Sequence, residues 1–290
     1  MVAARPSFRG GLGSEALKLS RQGMVWAMLS VALLLFAVIA LAVPTAGNLR
    51  DELHRDPASL VFTLADGYLA MFNSGAGIFL LLVSARLVGM EYGGGTIRVL
   101  LSRGAGRLRV LLAKLAALAV LGLLLLFGFL VLVTAATCAT VLAWEGSLAP
   151  LASLPATVWT DLGIDLLLAL VSMGVCIVLG STAAVVGRSV AFGVGAALAF
   201  FPLDNFGTVP LRLLAAVTGL GLPRDVTAWF LGPNLNALPR LMQTDHRAGV
   251  QFAAPLVHVD AVHAGLVVAG WAVALLIVAL VLTRRRDVLQ

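Results

Sequence analysis

Charged side chains are scarce in this sequence: Asp, Glu, Lys and Arg together make up 12% of its 290 residues. Soluble domains have about a quarter of their residues charged, whereas this chain is 60% hydrophobic with a mean hydropathy of +1.02. The apolar residues are gathered in runs long enough to cross a lipid bilayer. The shortage of charge therefore excludes a soluble globular domain and predicts an all-α integral membrane protein.

Motifs of common catalytic sites are also missing. The sequence has no Gly-Lys-Ser or Gly-Lys-Thr P-loop, no His-Glu-x-x-His and no Gly-x-Ser-x-Gly. His258 and His263 are five residues apart, off the i,i+4 spacing that points two helical ligands at one metal. Cys138 and Cys176 lie inside apolar runs and are expected to be reduced packing residues. We therefore expect no catalytic residues, no metal site and no cofactor on this chain.

Six apolar segments are candidate membrane spans. The first has twenty uncharged residues, and at a rise of 1.5 Å per residue these make about 30 Å, one bilayer core. The fifth is short, and the apolar residues 211–222 that follow it are too few for a span of their own. That pattern favours a re-entrant or interfacial helix on the outer side. The predicted spans are residues 24–43, 67–90, 110–143, 162–186, 190–203 and 262–282, in one permease domain covering 1–290.

The connections between spans carry three further predictions. Within residues 1–23, Leu12, Ala16 and Leu19 recur at helical spacing, which indicates a short interfacial helix leading into the membrane. Residues 48–66 are predicted to be a polar loop. Asp165, close to the start of the fourth span, is expected to be hydrated rather than to act as a proton relay.

The placement of the basic residues predicts the orientation. With both termini in the cytoplasm, fourteen of the twenty Lys and Arg residues fall on the inner side. They lie in residues 1–23, between Arg86 and Lys114, at Arg188 and in residues 284–286. Cytoplasmic segments of membrane proteins are enriched in Lys and Arg. We therefore expect a multi-pass protein of the cytoplasmic membrane.

The most informative segment is the basic insert of residues 91–114, between the second and third spans. One acid, Glu91, stands against five cations, and the leucines between them supply apolar patches. The cations are Arg98, Arg103, Arg107, Arg109 and Lys114. Such a segment cannot cross a bilayer although both its flanks do, so we interpret it as a short cytoplasmic structure at the membrane surface.

This layout resembles the membrane subunit of type-2 ABC transporters, the exporter-like permease family. In that family the loop between spans two and three has an acid, then Gly-Thr, a hydrophobic pair, an arginine-rich turn and a lysine entering span three. The matching residues here are Glu91, Gly95, Thr96, Leu100, Leu101, Arg103, Arg107 and Lys114. The family also has an outer helical insert after span five with a Pro-Asn stretch, for which residues 232–234 are the counterpart.

The resemblance implies that this loop is a coupling helix, which docks on a separate ABC-type ATPase. Leu100 and Leu101 would anchor in a groove of that subunit, while Arg98, Arg103 and Arg107 would pair with acids on its rim. ATP and Mg would be bound by the partner ATPase, and a second permease subunit, identical or homologous, would complete the transporter. The alternative is that these cations only fix the topology and contact lipid phosphates.

The fifth span has small residues that suit close helix packing, among them Gly193 and Gly195. Packing within the chain is one interpretation. The resemblance implies another, that spans two and five border the translocation path between two permease subunits, with Phe200 and Phe201 at its outer end. Two other functions stay open: an ion-coupled secondary transporter, disfavoured by the scarcity of charge at the midplane, and a membrane sensor or resistance accessory subunit without transport.

Overall fold

The computed structural model describes residues 8–45, 47–93, 106–243 and 253–285, and within them every regular element is a helix. In chain order the α-helices are α1 (Phe8–Ser20), α2 (Gly23–Ala42), α3 (Gly47–Arg55), α4 (Pro57–Gly93), α5 (Arg107–Glu145), α6 (Ala149–Ala152), α7 (Ala156–Gly187), α8 (Val190–Phe206), α9 (Thr208–Thr218), α10 (Leu222–Val226), α11 (Leu231–Met242) and α12 (Ala261–Arg285). Two short 3₁₀ helices, Val43–Thr45 and Thr227–Trp229, connect neighbours.

Five of these helices are long and apolar enough to cross a membrane, namely α2, α4, α5, α7 and α12. They coincide with five of the six predicted spans. The remaining predicted span, the fifth in chain order (residues 190–203), lies in α8. This helix continues past Pro202 and then bends by 41° into α9. The described part of the chain therefore holds five candidate spans, or six if the bent pair counts as one. The predicted helix after span five is present as α9, and its position relative to a membrane stays a prediction.

The prediction of a polar loop over residues 48–66 is wrong. Most of this segment is helical, in α3 and the first turns of α4. The two helices meet at Asp56, whose Oδ1 accepts hydrogen bonds from the backbone N–H groups of Ala58 (3.0 Å) and Ser59 (3.2 Å). Pro57 then occupies the first helical position, where its missing N–H costs nothing. A capped helix start with a following proline explains why polar residues here are not a loop.

The long helices alternate in direction, so the bundle has two ends. At one end α4 finishes and α5 begins. At the other end α3 meets the end of α5, where Arg50 Nη2 donates to the carbonyl of Trp144 at 3.2 Å. A tight turn at residues 187–189 joins α7 to α8: Arg188 has a left-handed backbone (φ 50°), and Ser189 Oγ accepts from Phe192 N at 3.1 Å to cap α8.

Much of the apolar surface faces outward. Exposed side chains on α2 and α5 include Leu41 (76%), Leu124 (64%) and Phe127 (66%). Soluble monomers rarely expose contiguous apolar areas of this kind. Together with the length of the helices, this surface defines a polytopic α-helical membrane protein.

Close packing of α8 against α7, next to the turn that joins them, depends on a glycine, and α8 offers a matched pair of glycines for comparison. A Cβ added to Gly193 would lie 2.8 Å from the Cα of Ala184 in α7, whereas one added to Gly195 meets nothing within 4 Å. The two residues are about 200° apart on the helix, so they face opposite sides. Gly193 thus packs within the chain, and Gly195 faces away from it.

We expect Gly193→Ala to lower the unfolding free energy by about 1–3 kcal/mol, because the backbone of α7 has to move to admit the methyl group. Gly195→Ala is the control and should be neutral or stabilising by up to about 1 kcal/mol, since alanine favours a helix over glycine. Thermal unfolding of both variants in the same detergent measures the difference. Equal melting temperatures would contradict the packing described for α7 and α8.

Candidate functional site

The candidate site lies where α4 ends and α5 begins. Glu91 stands in the last turn of α4 and Lys114 two turns into α5, and they bracket residues 94–105, which lie outside the described residues. The ammonium of Lys114 is 3.0 Å from Glu91 Oε1. Lys114 is 2% exposed and Glu91 6% exposed. The two helices that flank the basic insert are therefore joined by a buried ion pair.

Helix α1 supplies the other half of this site. Glu15 and Lys18 are three residues apart and so share one face of the helix. Lys114 Nζ donates to Glu15 Oε2 at 2.8 Å. Lys18 Nζ donates to Glu15 Oε1 at 2.8 Å and to Glu91 Oε1 at 2.9 Å. These four residues, the charge network, tie three helices together and carry no net charge.

Lysine is used sparingly in this chain, and its only two lysines, Lys18 and Lys114, are both in the charge network. A lysine ammonium is a compact charge with three donors, whereas an arginine guanidinium is a planar fork suited to one carboxylate face. The compact group fits between two carboxylates that belong to different helices. The scarcity of lysine is therefore the signal in the sequence that indicates the charge network.

The carboxylates also set the protonation of Lys18. Burial by itself would lower its pKa, but the hydrogen bonds and charges of Glu15 and Glu91 outweigh burial, so the pKa is raised above the ordinary value of 10.5. A raised lysine pKa means that its stabilising effect is complete below the ordinary pKa and is lost only as the pH rises through the folded one. The ion pairs of Lys18 therefore persist at physiological pH.

The structure places the predicted docking residues in three groups. Gly95, Thr96, Arg98, Leu100, Leu101 and Arg103 lie outside the described residues, so their role stays a prediction. Glu91 and Lys114 are buried, in the charge network. Arg107 is half-buried, and its Nη1 donates to the carbonyl of Arg284 at 3.5 Å, which connects the start of α5 to the end of α12.

The residues predicted for the translocation path are separated by the fold. Gly193 packs on α7 and Gly195 faces outward, as described above. Phe200 and Phe201 line a cavity of about 400 Å³ between α4, α7, α8 and α11. The ring of Phe200 is also packed edge-on against Trp271, with centroids 5.7 Å apart. Of the four, the two phenylalanines share one site, and the two glycines do not.

The fold and this network define the class of protein: a polytopic membrane protein in which a charge network joins the two helices that flank one basic connection. The sequence profile of the ABC-2 family transporter proteins matches residues 12–203, which is more than half of the chain. The chain belongs to the ABC-2 transporter family. Members of this family are membrane subunits that work with an ABC ATPase. No curated protein matches the chain.

The family match covers all four residues of the charge network. It also covers α8 as far as Leu203, and therefore both of the phenylalanines that line the cavity. The resemblance to type-2 ABC permeases predicted from the sequence is thereby confirmed.

Proposed function

We propose that this chain is the membrane-spanning subunit of an ATP-driven exporter of the cytoplasmic membrane. A separate ABC-type ATPase binds and hydrolyses ATP with Mg, and two permease subunits form the path. Membership of the ABC-2 family is the observation that carries this proposal. Among the described residues, most Lys and Arg lie at the end of the bundle that holds the charge network, which supports a cytoplasmic location for that end.

Coupling would pass through residues 94–105. Both flanks of this segment are fixed to α1 by the charge network, through Glu91 at one side and Lys114 at the other. A push on the segment would therefore move the ends of α1, α4 and α5 together instead of bending one helix alone. Interfaces and packed elements transmit motion in this way because they shift between discrete arrangements.

In this proposal the basic insert, residues 91–114, is the surface that contacts the ATPase. Leu100 and Leu101 would fill an apolar groove of the ATPase, and Arg98 and Arg103 would face acids at its rim, as interfaces combine an apolar centre with a polar rim. Arg107 would contribute from the first turn of α5. Gly95 and Thr96 would shape the exit of the chain from α4, since glycine tolerates backbone conformations that other residues avoid.

A photo-crosslinking experiment tests this docking. Benzoylphenylalanine placed at Leu101 should crosslink, in native membranes, to a polypeptide that contains an ABC ATPase sequence. The control has the same group at Leu213, an apolar side chain of α9 that is 63% exposed, and should yield no ATPase. An ATPase captured equally from both positions would show proximity without docking, and none captured from Leu101 would count against the proposed coupling segment.

A further inference from the structure

The cavity lined by Phe200 and Phe201 has a polar end and an apolar end. It has a volume of about 400 Å³, within the range of small-molecule sites. Along α7 its lining runs from Asp165 to Leu179, and fourteen residues at 1.5 Å each make about 21 Å. The cavity is therefore elongated along the helices and suits a ligand with two chemically different ends.

The polar end is rich in carboxylates. Asp66, Asp165 and Asp204 line it, and in the described part of the chain the cation that lines it is Arg240, whose side chain is exposed. Asp204 is already engaged: its carboxylate accepts hydrogen bonds from the backbone N–H groups of Leu231 and Gly232, which start α11. The charges available to a ligand are therefore those of the other two acids.

Asp165 is the unusual member of this group. Because α7 begins at Ala156, the carboxyl lies about two and a half turns inside the helix, where the residue is only 3% exposed. Its hydration stays a prediction. Oδ1 accepts a hydrogen bond from Gln243 Nε2 at 2.7 Å. Oδ2 is buried and, in the part of the chain that the structure describes, has no hydrogen-bond partner.

A buried carboxylate oxygen without a partner is costly unless a donor or a cation meets it. Asp66 and Asp165 line the same end of the cavity, so the two carboxylates repel each other when both are ionised. Both effects are relieved by the same ligand group, a protonated amine. It would donate to Oδ2 and offset the repulsion at once.

The apolar end fits the remainder of such a ligand. Ile78, Cys176, Leu179 and Phe200 line it. The ring of Phe200 is held against Trp271, so this wall is fixed. Aromatic and aliphatic walls with a few convergent polar groups are typical of small-molecule sites.

We propose that this cavity binds an amphiphilic organic amine, with its ammonium at Asp165 and Asp66 and its apolar body toward Leu179. The assignment rests on the proposed function in one respect, since it makes this class of molecule the substrate of the permease. A divalent metal fits less well. No group of three or more His, Cys, Asp or Glu side chains placed to hold a metal ion occurs among the described residues.

The test uses monodansylcadaverine, a fluorescent primary amine, and its N-acetylated form, which keeps the dansyl group and lacks the charge. The full chain purified in nanodiscs should bind the amine saturably with increased fluorescence. Asp165→Asn should weaken binding about tenfold or more, as expected for the loss of a charge-assisted hydrogen bond. The asparagine can still accept from Gln243, so the fold is retained, which the melting temperature verifies.

Two controls make the result specific. The exposed acid Asp51, in α3, is replaced with asparagine and should leave binding unchanged. The acetylated probe should bind wild type about tenfold or more weakly than the amine. Equal affinity for both probes, equal binding by wild type and Asp165→Asn, or displacement of the amine by millimolar Ca²⁺ alone would each overturn the amine assignment.

The same preparations separate this inference from the proposed function. If an ABC ATPase copurifies with the chain but the amine does not bind, the permease function stands and the ligand class is wrong. If the amine binds in an Asp165-dependent way but no ATPase is ever found, the binding site stands and its role as a transport site is wrong.

Discussion

Replacing Lys114 with methionine should lower the unfolding free energy by about 3–5 kcal/mol, the usual cost of removing one partner from a buried ion pair. Its ammonium is hydrogen-bonded to Glu15 at 2.8 Å and Glu91 at 3.0 Å, and the side chain is 3% exposed. Methionine has a similar volume but leaves two buried carboxylates with Lys18 as their only lysine partner. The measurement is thermal or denaturant unfolding of the purified chain, together with its yield in the membrane.

Two further variants show whether charge is the cause. Lys18→Met should cost much less, because the Lys18 side chain is 43% exposed and its ion pairs are partly screened by solvent. Adding Glu15→Gln to Lys114→Met should recover part of the loss, since a cation and an acid are then removed together. If Lys114→Met unfolds like wild type, the charge network does not hold the three helices together.

The double variant Leu100→Asp, Leu101→Asp should reduce ATP hydrolysis by the assembled transporter at least about tenfold. Two carboxylates placed in an apolar groove lose several kcal/mol of solvation, and each 1.4 kcal/mol is a factor of ten in binding. The measurement is the ATPase activity of the copurified complex, normalised to the amount of permease.

The conservative pair Leu100→Met, Leu101→Met is the control for that result, because it keeps the segment apolar and flexible in shape. It should retain most of the ATPase activity. Activity that falls equally in the aspartate and methionine variants would point to a shape requirement, and activity that survives in both would remove this segment from the interface.

The membrane spans could be predicted from the sequence because their length is set by the bilayer, which is a property of the surroundings. Their ends were less predictable. Asp56 caps α4, so residues predicted as a polar loop are helical. Helix α8 continues through Pro202, past the predicted end of its span. Local hydrogen bonds decide such boundaries, whereas hydropathy reports only the average of a long window.

Only part of the candidate site could be predicted from the sequence. Glu91 and Lys114 were recognised as parts of a loop motif, but their pairing with Glu15 and Lys18 was not. The four residues lie on three helices and are up to 99 positions apart in the sequence. Only the packing of these helices brings them together. The burial of Asp165 could not be predicted for a related reason: depth along a helix can be estimated from sequence, but the neighbour that contacts a side chain, here Gln243, cannot.

The proposed function depends most on whether an ABC-type ATPase binds this chain through residues 91–114. The direct measurement is a pull-down of the tagged protein from native membranes in mild detergent, comparing wild type with an Arg98→Ala, Arg103→Ala variant, which leaves the charge network intact, at matched yield and melting temperature. We expect an ABC ATPase to copurify with wild type and to be lost from the variant. Wild type that brings down no ATPase under any mild condition would contradict the proposed function, and an ATPase retained by the variant would contradict the docking site.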